Sequence, residues 1–76
     1  MEKEKEERFL VSYFDENGFL HNHVLCSSKQ DSIQKVKDLM NEGVPSGEIV
    51  VSRNRKLYWA VKLQNGDIEY QELHIL

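Results

Sequence analysis

Two runs dense in aromatic and β-branched residues open the patterned part of the chain: Phe9-Leu10-Val11-Ser12-Tyr13-Phe14 and Phe19-Leu20-His21-Asn22-His23-Val24-Leu25. Such residues favour the half-buried, pleated surface of a strand. Between the runs lies Asp15-Glu16-Asn17-Gly18. Asn-Gly at this place is a strong hairpin signal, because both residues tolerate the positive φ of a type I′ turn. The pattern therefore predicts a hairpin with a two-residue turn at Asn17-Gly18.

The spacing then changes. Ile33, Val36 and Met40 recur at intervals of three and four with Leu39 beside them, while Gln34, Lys35, Lys37 and Asp38 point away. That is one amphipathic helix. Ser28 followed by Asp31 resembles a capping box with Asp in place of Glu, and Gly43 stands where a left-handed residue ends a helix shortly before Pro45. The two signals bound the helix at residues 29 to 42.

Beyond Pro45-Ser46-Gly47, Ile49-Val50-Val51-Ser52 reads as a strand, Arg53-Asn54-Arg55-Lys56 as a polar turn and Leu57 to Leu63 as another strand. Asn65-Gly66 repeats the turn signal. Pairing outward from it sets Gln64 opposite Asp67, Leu63 opposite Ile68, Lys62 opposite Glu69 and Val61 opposite Tyr70, which matches apolar with apolar and acid with base. The fold class expected is α+β: an antiparallel sheet of about five strands, in the order β-β-α-β-β-β, with the helix on one face. Residues 1 to 8 alternate acids and bases and read as a charged arm, and residues 9 to 76 read as one domain.

Both faces of this sheet carry apolar groups. Side-chain alternation puts Phe9, Val11, Tyr13, Leu20, Val24 and Cys26 on one side, and Leu10, Phe14, Phe19 and Leu25 on the other with Ser12, His21 and His23. In the last hairpin Trp59, Val61 and Leu63 oppose Tyr58 and Ala60. A helix of this length spans about 21 Å and covers one side only. Either strong coiling draws both sides into one core, or Leu10, Phe14, Phe19, His21, His23 and Leu25 form an apolar interface with a partner or a second copy.

Size adds to the second option. A chain of 76 residues buries only roughly 60–65% of the surface its unfolded form exposes, and association relieves that shortage. A formal charge of −3 argues against a protein that coats nucleic acid through phosphate contacts. The single cysteine, Cys26, excludes an internal disulfide and points to a reducing cytoplasm. The start of the chain has no apolar stretch of a signal peptide, and no run approaches a membrane span.

Candidate chemistry is sparse. His21 and His23 share a strand face at a spacing that suits a metal, yet Cys26 has the opposite parity and only distant His74 remains as a third ligand, so no metal site is expected. Cys26 near His23 is at most a fragment of a nucleophile and base pair. The glycines are scattered one to a turn and build no phosphate loop. No enzyme activity and no cofactor are expected. Two charged surfaces remain. Arg53, Arg55 and Lys56 on a hairpin tip beside Tyr58 and Trp59 could contact nucleic acid. Asp15, Glu16, Asp67, Glu69 and Glu72, with the acids of the arm, could present a row of carboxylates that imitates phosphates.

The layout from Phe9 to Gly18, a short helix, and then Gly43-Val44-Pro45-Ser46-Gly47-Glu48-Ile49-Val50-Val51 resembles small host-takeover proteins of bacteriophages and mobile elements. Trp59-Ala60-Val61-Lys62-Leu63-Gln64-Asn65-Gly66-Asp67 is similar to the last hairpin of phage uracil-DNA glycosylase inhibitors, which are acidic DNA mimics. The acidic segment with which those inhibitors enter their target has no counterpart here. These resemblances imply a modulator in the host cytoplasm that inhibits or redirects a host protein, with DNA-binding proteins as the favoured target class. A nucleic-acid-binding module using the Arg53 to Lys56 hairpin, and a homodimerisation module, are the alternatives.

Overall fold

The computed structural model describes residues 8–73. The arm expected over residues 1 to 8 thus lies outside the described residues except for Arg8, as does His74. Among the described residues five strands form one antiparallel sheet: β1 (Phe9–Phe14), β2 (Leu20–Cys26), β3 (Ile49–Arg53), β4 (Lys56–Lys62) and β5 (Ile68–Glu72). Their order across the sheet is β2-β1-β3-β4-β5. One helix, α1 (Lys29–Asn41), links β2 to β3, with a single 3-10 turn at Ser46–Glu48 before β3. The fold is α+β, as the sequence pattern predicts.

The ends of α1 follow from local chemistry. Ser28 is extended (φ −145°, ψ 159°), and its hydroxyl accepts the Asp31 N–H, one of the donors left over at a helix start. At the other end the Val44 N–H donates to Leu39 O and the Gly43 N–H to Met40 O, with Gly43 at φ +107°. That is a Schellman motif, and glycine adopts its left-handed residue without steric cost. The side chains buried on the sheet are Ser32, Val36 and Leu39, with Ile33 and Met40 at the margins.

The turns correct two expectations. Both Asn-Gly sites close three-residue loops, not two-residue type I′ turns. The Asp15 N–H donates to Phe19 O and the Gly18 N–H to Asp15 O, both at 2.9 Å, while the Leu63 N–H donates to Asp67 O at 2.8 Å and the Gly66 N–H to Leu63 O at 3.0 Å. Only the glycine of each pair has positive φ (Gly18 +86°, Gly66 +93°), as in a type I turn followed by a left-handed bulge residue. Because the loop is one residue longer than expected, the last hairpin shifts by one. Lys62 pairs with Ile68, Val61 with Glu69 and Ala60 with Tyr70, replacing the expected Leu63/Ile68, Lys62/Glu69 and Val61/Tyr70 pairs. Such a slip moves side chains to the opposite face: Ile68 and Tyr70 join Ala60 beneath the helix. The true two-residue turn lies between Arg53 and Lys56, where Asn54 (φ 56°) and Arg55 (φ 71°) are both left-handed.

The core sits between α1 and the sheet. Phe9, Val11, Cys26, Val36, Leu39, Ile49, Val51, Ala60 and Ile68 are buried in it. Within it Ser32, itself fully buried, donates its hydroxyl to Lys29 O and lies 2.6 Å from the Tyr70 hydroxyl, so both hydroxyls at this helix–sheet contact are satisfied.

Candidate interaction surface

The face of the sheet turned away from α1 has no covering layer among the described residues. Cross-strand partners share a face, and the ladders therefore place its side chains in rows. Leu25, Leu10, Ser52 and Leu57 form one row across β2, β1, β3 and β4. Asn22, Ser12, Val50, Trp59 and Gln71 form the next. Beyond this row, on the side away from Leu10 and Leu57, Leu20 pairs with Phe14 and Val61 with Glu69. Glu69 is the one ionisable side chain in these rows.

Coiling does not close this face. β2 and β5 are the free edges of an open sheet, and Leu25, Leu20 and Leu57 keep 54%, 51% and 37% of their surface exposed. Ser12 and Val50 in the middle row are nonetheless buried, because larger neighbours rise around them. The Ser12 hydroxyl donates to Asn22 Oδ1 at 3.1 Å, which occupies its donor. The result is an apolar surface with a recessed centre and polar ends at Asn22 and Gln71.

Of the interface residues expected from sequence, Leu10, Phe14 and Leu25 lie on this face, whereas His21, His23 and Phe19 do not. The cause is a β-bulge. Val11 pairs with Val24 but Ser12 with Asn22, leaving His23 as an extra residue on β2. The parity of β2 reverses there, so His21 faces Tyr13 on the helix side and Leu20 takes the uncovered side. Tyr13 stacks on His21 with ring centroids 5.4 Å apart and meets the edge of His23 at 6.1 Å. Phe19 lies in the loop opposite Asp15 and is 67% exposed. Sequence reasoning missed Leu20, Val50 and Leu57 as members of this face. The alternation of Trp59 with Tyr58 was the available signal for β4, and the unshifted β1–β3–β4 ladders carry it across to Leu10 and Phe14.

The acidic residues do not line up. Glu69 is on the uncovered face and Glu72 on the opposite one, where its carboxylate lies 3.9 Å from Lys56 Nζ. Asp67 accepts from the Asn65 amide within the turn. Asp15 is engaged still further: its Oδ1 accepts the N–H groups of Asn17 and Phe19, and Oδ2 lies 2.6 Å from His21 Nε2. An ionised carboxylate only accepts, so the imidazole N–H is the donor. The bond from His21 and then that from the Phe19 N–H hold the Asp15 carboxyl below its ordinary value. Glu16, in the same loop, is exposed.

The basic hairpin is also divided. The Arg53 guanidinium packs 5.4 Å above the Phe9 ring and Lys56 pairs with Glu72; Arg55 occupies the tip of the turn. Trp59 faces the other side of the sheet from Arg53 and Lys56, so cations and indole do not form one stacking platform.

Reactive groups are held in unreactive settings. Cys26 is buried, and burial together with nearby Asp31 pushes its thiol pKa up, away from thiolate character. Burial raises the Tyr70 hydroxyl too, against the opposing influence of its hydrogen bond with Ser32. Among the described residues no three His, Cys, Asp or Glu side chains gather to hold a metal, and no helix is long and apolar enough to cross a membrane. An open groove of about 650 Å³ lies between the Asp15–Gly18 loop and the Gly43–Pro45 segment, with Tyr13 and Phe14 on its wall and Asp15, Glu16 and Glu48 around it. No buried side-chain polar atom among the described residues lacks a partner. Comparison with known proteins finds no matching family model, curated protein or solved structure.

Proposed function

We propose that this domain is a non-enzymatic protein-binding module that engages its partner through the uncovered face of the sheet. The observation that carries this reading is the composition of that face: Leu10, Phe14, Leu20, Leu25, Leu57, Trp59 and Val61 stand there with Glu69 as the single ionisable side chain. Apolar patches of this kind on a small domain mark contact sites, and an indole beside leucines suits the centre of an interface. The role implied by the resemblance to phage modulators, binding and redirecting a host protein, is then exerted through apolar contact. Acidic mimicry of DNA is the less favoured mechanism, since Glu69 and Glu72 point to opposite faces and Asp15 is tied to its own hairpin.

The test is capture of partners from a bacterial lysate with three folded proteins: the wild type, Leu20→Asp/Leu25→Asp, and Glu69→Gln/Glu72→Gln. The apolar reading expects the leucine pair to lose the partner and the glutamine pair to retain it, with binding little changed by added salt, which screens exposed charges. Loss of the partner only in the glutamine variant would sink the apolar reading and restore mimicry. Binding of short DNA or RNA at low salt that depends on Arg55 and Lys56 would instead favour the nucleic-acid alternative.

A further inference from the structure

We infer that the occupant of the uncovered face is a second copy of this chain, packed sheet against sheet about a two-fold axis parallel to the strands and close to β3. The inference rests on the reading of this face as the contact surface and names a second copy, in place of a host protein, as what covers it. Three observations carry it.

The first is charge. A partner chosen for electrostatic fit would meet complementary charges, but among the described residues the strands offer only Glu69 on this face, at its β5 margin. A surface without net charge in its middle is complementary to itself, which is what an isologous two-fold contact demands.

The second is area. With strands spaced ~4.8 Å apart and a rise of ~3.4 Å per residue, a face of this size presents roughly 450–500 Å² in projection. Two copies therefore bury about 1,000 Å² or somewhat more, the lower limit of a specific interface. A small apolar probe would leave most of the face wet, and a second sheet of the same size covers it. The recessed Ser12 and Val50 are suited to interdigitation, as in aligned sheet packing.

The third is that growth of the sheet at its edges is obstructed. β2 carries the bulge at His23, which breaks the regular repeat of its backbone, and β5 is five residues long with Glu69 and Glu72 along it. Short, charged or bulged edges resist strand addition. Association is thereby directed from the edges to the face.

The orientation follows from Glu69. A two-fold axis perpendicular to the strands would set β5 over β5 and gather both Glu69 carboxylates at the same margin of the interface. An axis along the strands sets β1 over the partner's β4 at unchanged height, so that Leu10 meets the partner's Leu57, Ser12 the partner's Trp59 and Phe14 the partner's Val61. It also moves Glu69 to the rim opposite β2.

Sedimentation of the full chain from about 100 µM down to about 1 µM tests this, because an interface near the lower size limit dissociates on dilution. Far-UV circular dichroism checks the folding of Leu57→Asp and Leu25→Asp, and Trp59 emission is followed in parallel. The expected result is a dimeric mass at the high concentration, a red shift of Trp59 emission on dilution, and folded monomers for Leu57→Asp and Leu25→Asp. A wild type that stays monomeric at every concentration while binding an apolar dye, with dye binding lost in Leu25→Asp, would overturn the dimer yet leave the contact face standing. A dimer that persists unchanged in both folded variants would overturn both.

Discussion

The Asp15 carboxylate accepts from two backbone N–H groups and from His21, and through these bonds one side chain ties the loop to the start of β2. Its pKa is lowered from the ordinary 3.8, so the sign of its contribution is set. The ionised form is the one the fold favours. Stability from this group is fully present above that ordinary value, declines as pH falls below it, and is gone once pH passes below the folded value. Thermal melts between about pH 5 and pH 2 are therefore expected to fall more steeply for the wild type than for Asp15→Asn, which has no carboxylate to protonate; parallel curves would refute the role. Asp15 was visible in the sequence only as an exposed acid. Its partners could not be read there, because the bond to His21 requires the bulge that turns His21 toward Tyr13.

Among the elements, what was legible was what is encoded locally. Ser28, Asp31 and Gly43 act within a turn of their own positions, and the helix they bound ends within a residue of expectation. Asn-Gly is ambiguous in a way that local reading does not resolve, since glycine serves equally in a two-residue turn and as the last residue of a three-residue loop. The difference of one residue decided which face Ile68 and Tyr70 occupy. His23 is harder still: nothing in Leu20-His21-Asn22-His23-Val24 announces an unpaired residue, and the bulge exists only relative to β1. That is why Leu10, Phe14 and Leu25 were placed correctly, on either an unbulged strand or the near side of the bulge, while Leu20 and His21 exchanged sides. The same turn chemistry yields a prediction at the β3–β4 hairpin. Arg55 holds φ 71° next to Asn54 at 56°, and a left-handed conformation costs a residue with a Cβ roughly 1–2 kcal/mol, part of which glycine returns as lost chain entropy. Arg55→Gly is expected to stabilise the domain by up to about 1 kcal/mol. Urea unfolding measures it, and a destabilised variant would mean that the Arg55 side chain makes contacts worth more than the strain.

For the molecule as a whole, the two sides of one sheet stand in different relations to stability. Val51 and Leu25 illustrate this: Val51 is fully buried beneath α1, and Leu25 is 54% exposed on the other side. Val51→Ala removes two methyl groups from a close-packed site, which by lost transfer energy plus the cavity left behind costs about 2 kcal/mol. A core of this size supplies on the order of 3–5 kcal/mol in all, so that one substitution removes a large share of the fold's stability. Leu25→Ala in the dissociated monomer trims a side chain already about half in water and is expected to change stability by about 0.5 kcal/mol. Denaturant unfolding at about 1 µM, where an interface this small is dissociated, should therefore show a large loss for Val51→Ala and almost none for Leu25→Ala. At high concentration the second value should grow, because whatever binds the folded form and not the unfolded one adds to its stability by mass action. Equal losses for both variants at low concentration would place Leu25 in the monomer's own core, and the uncovered face could then no longer be the surface reserved for a partner.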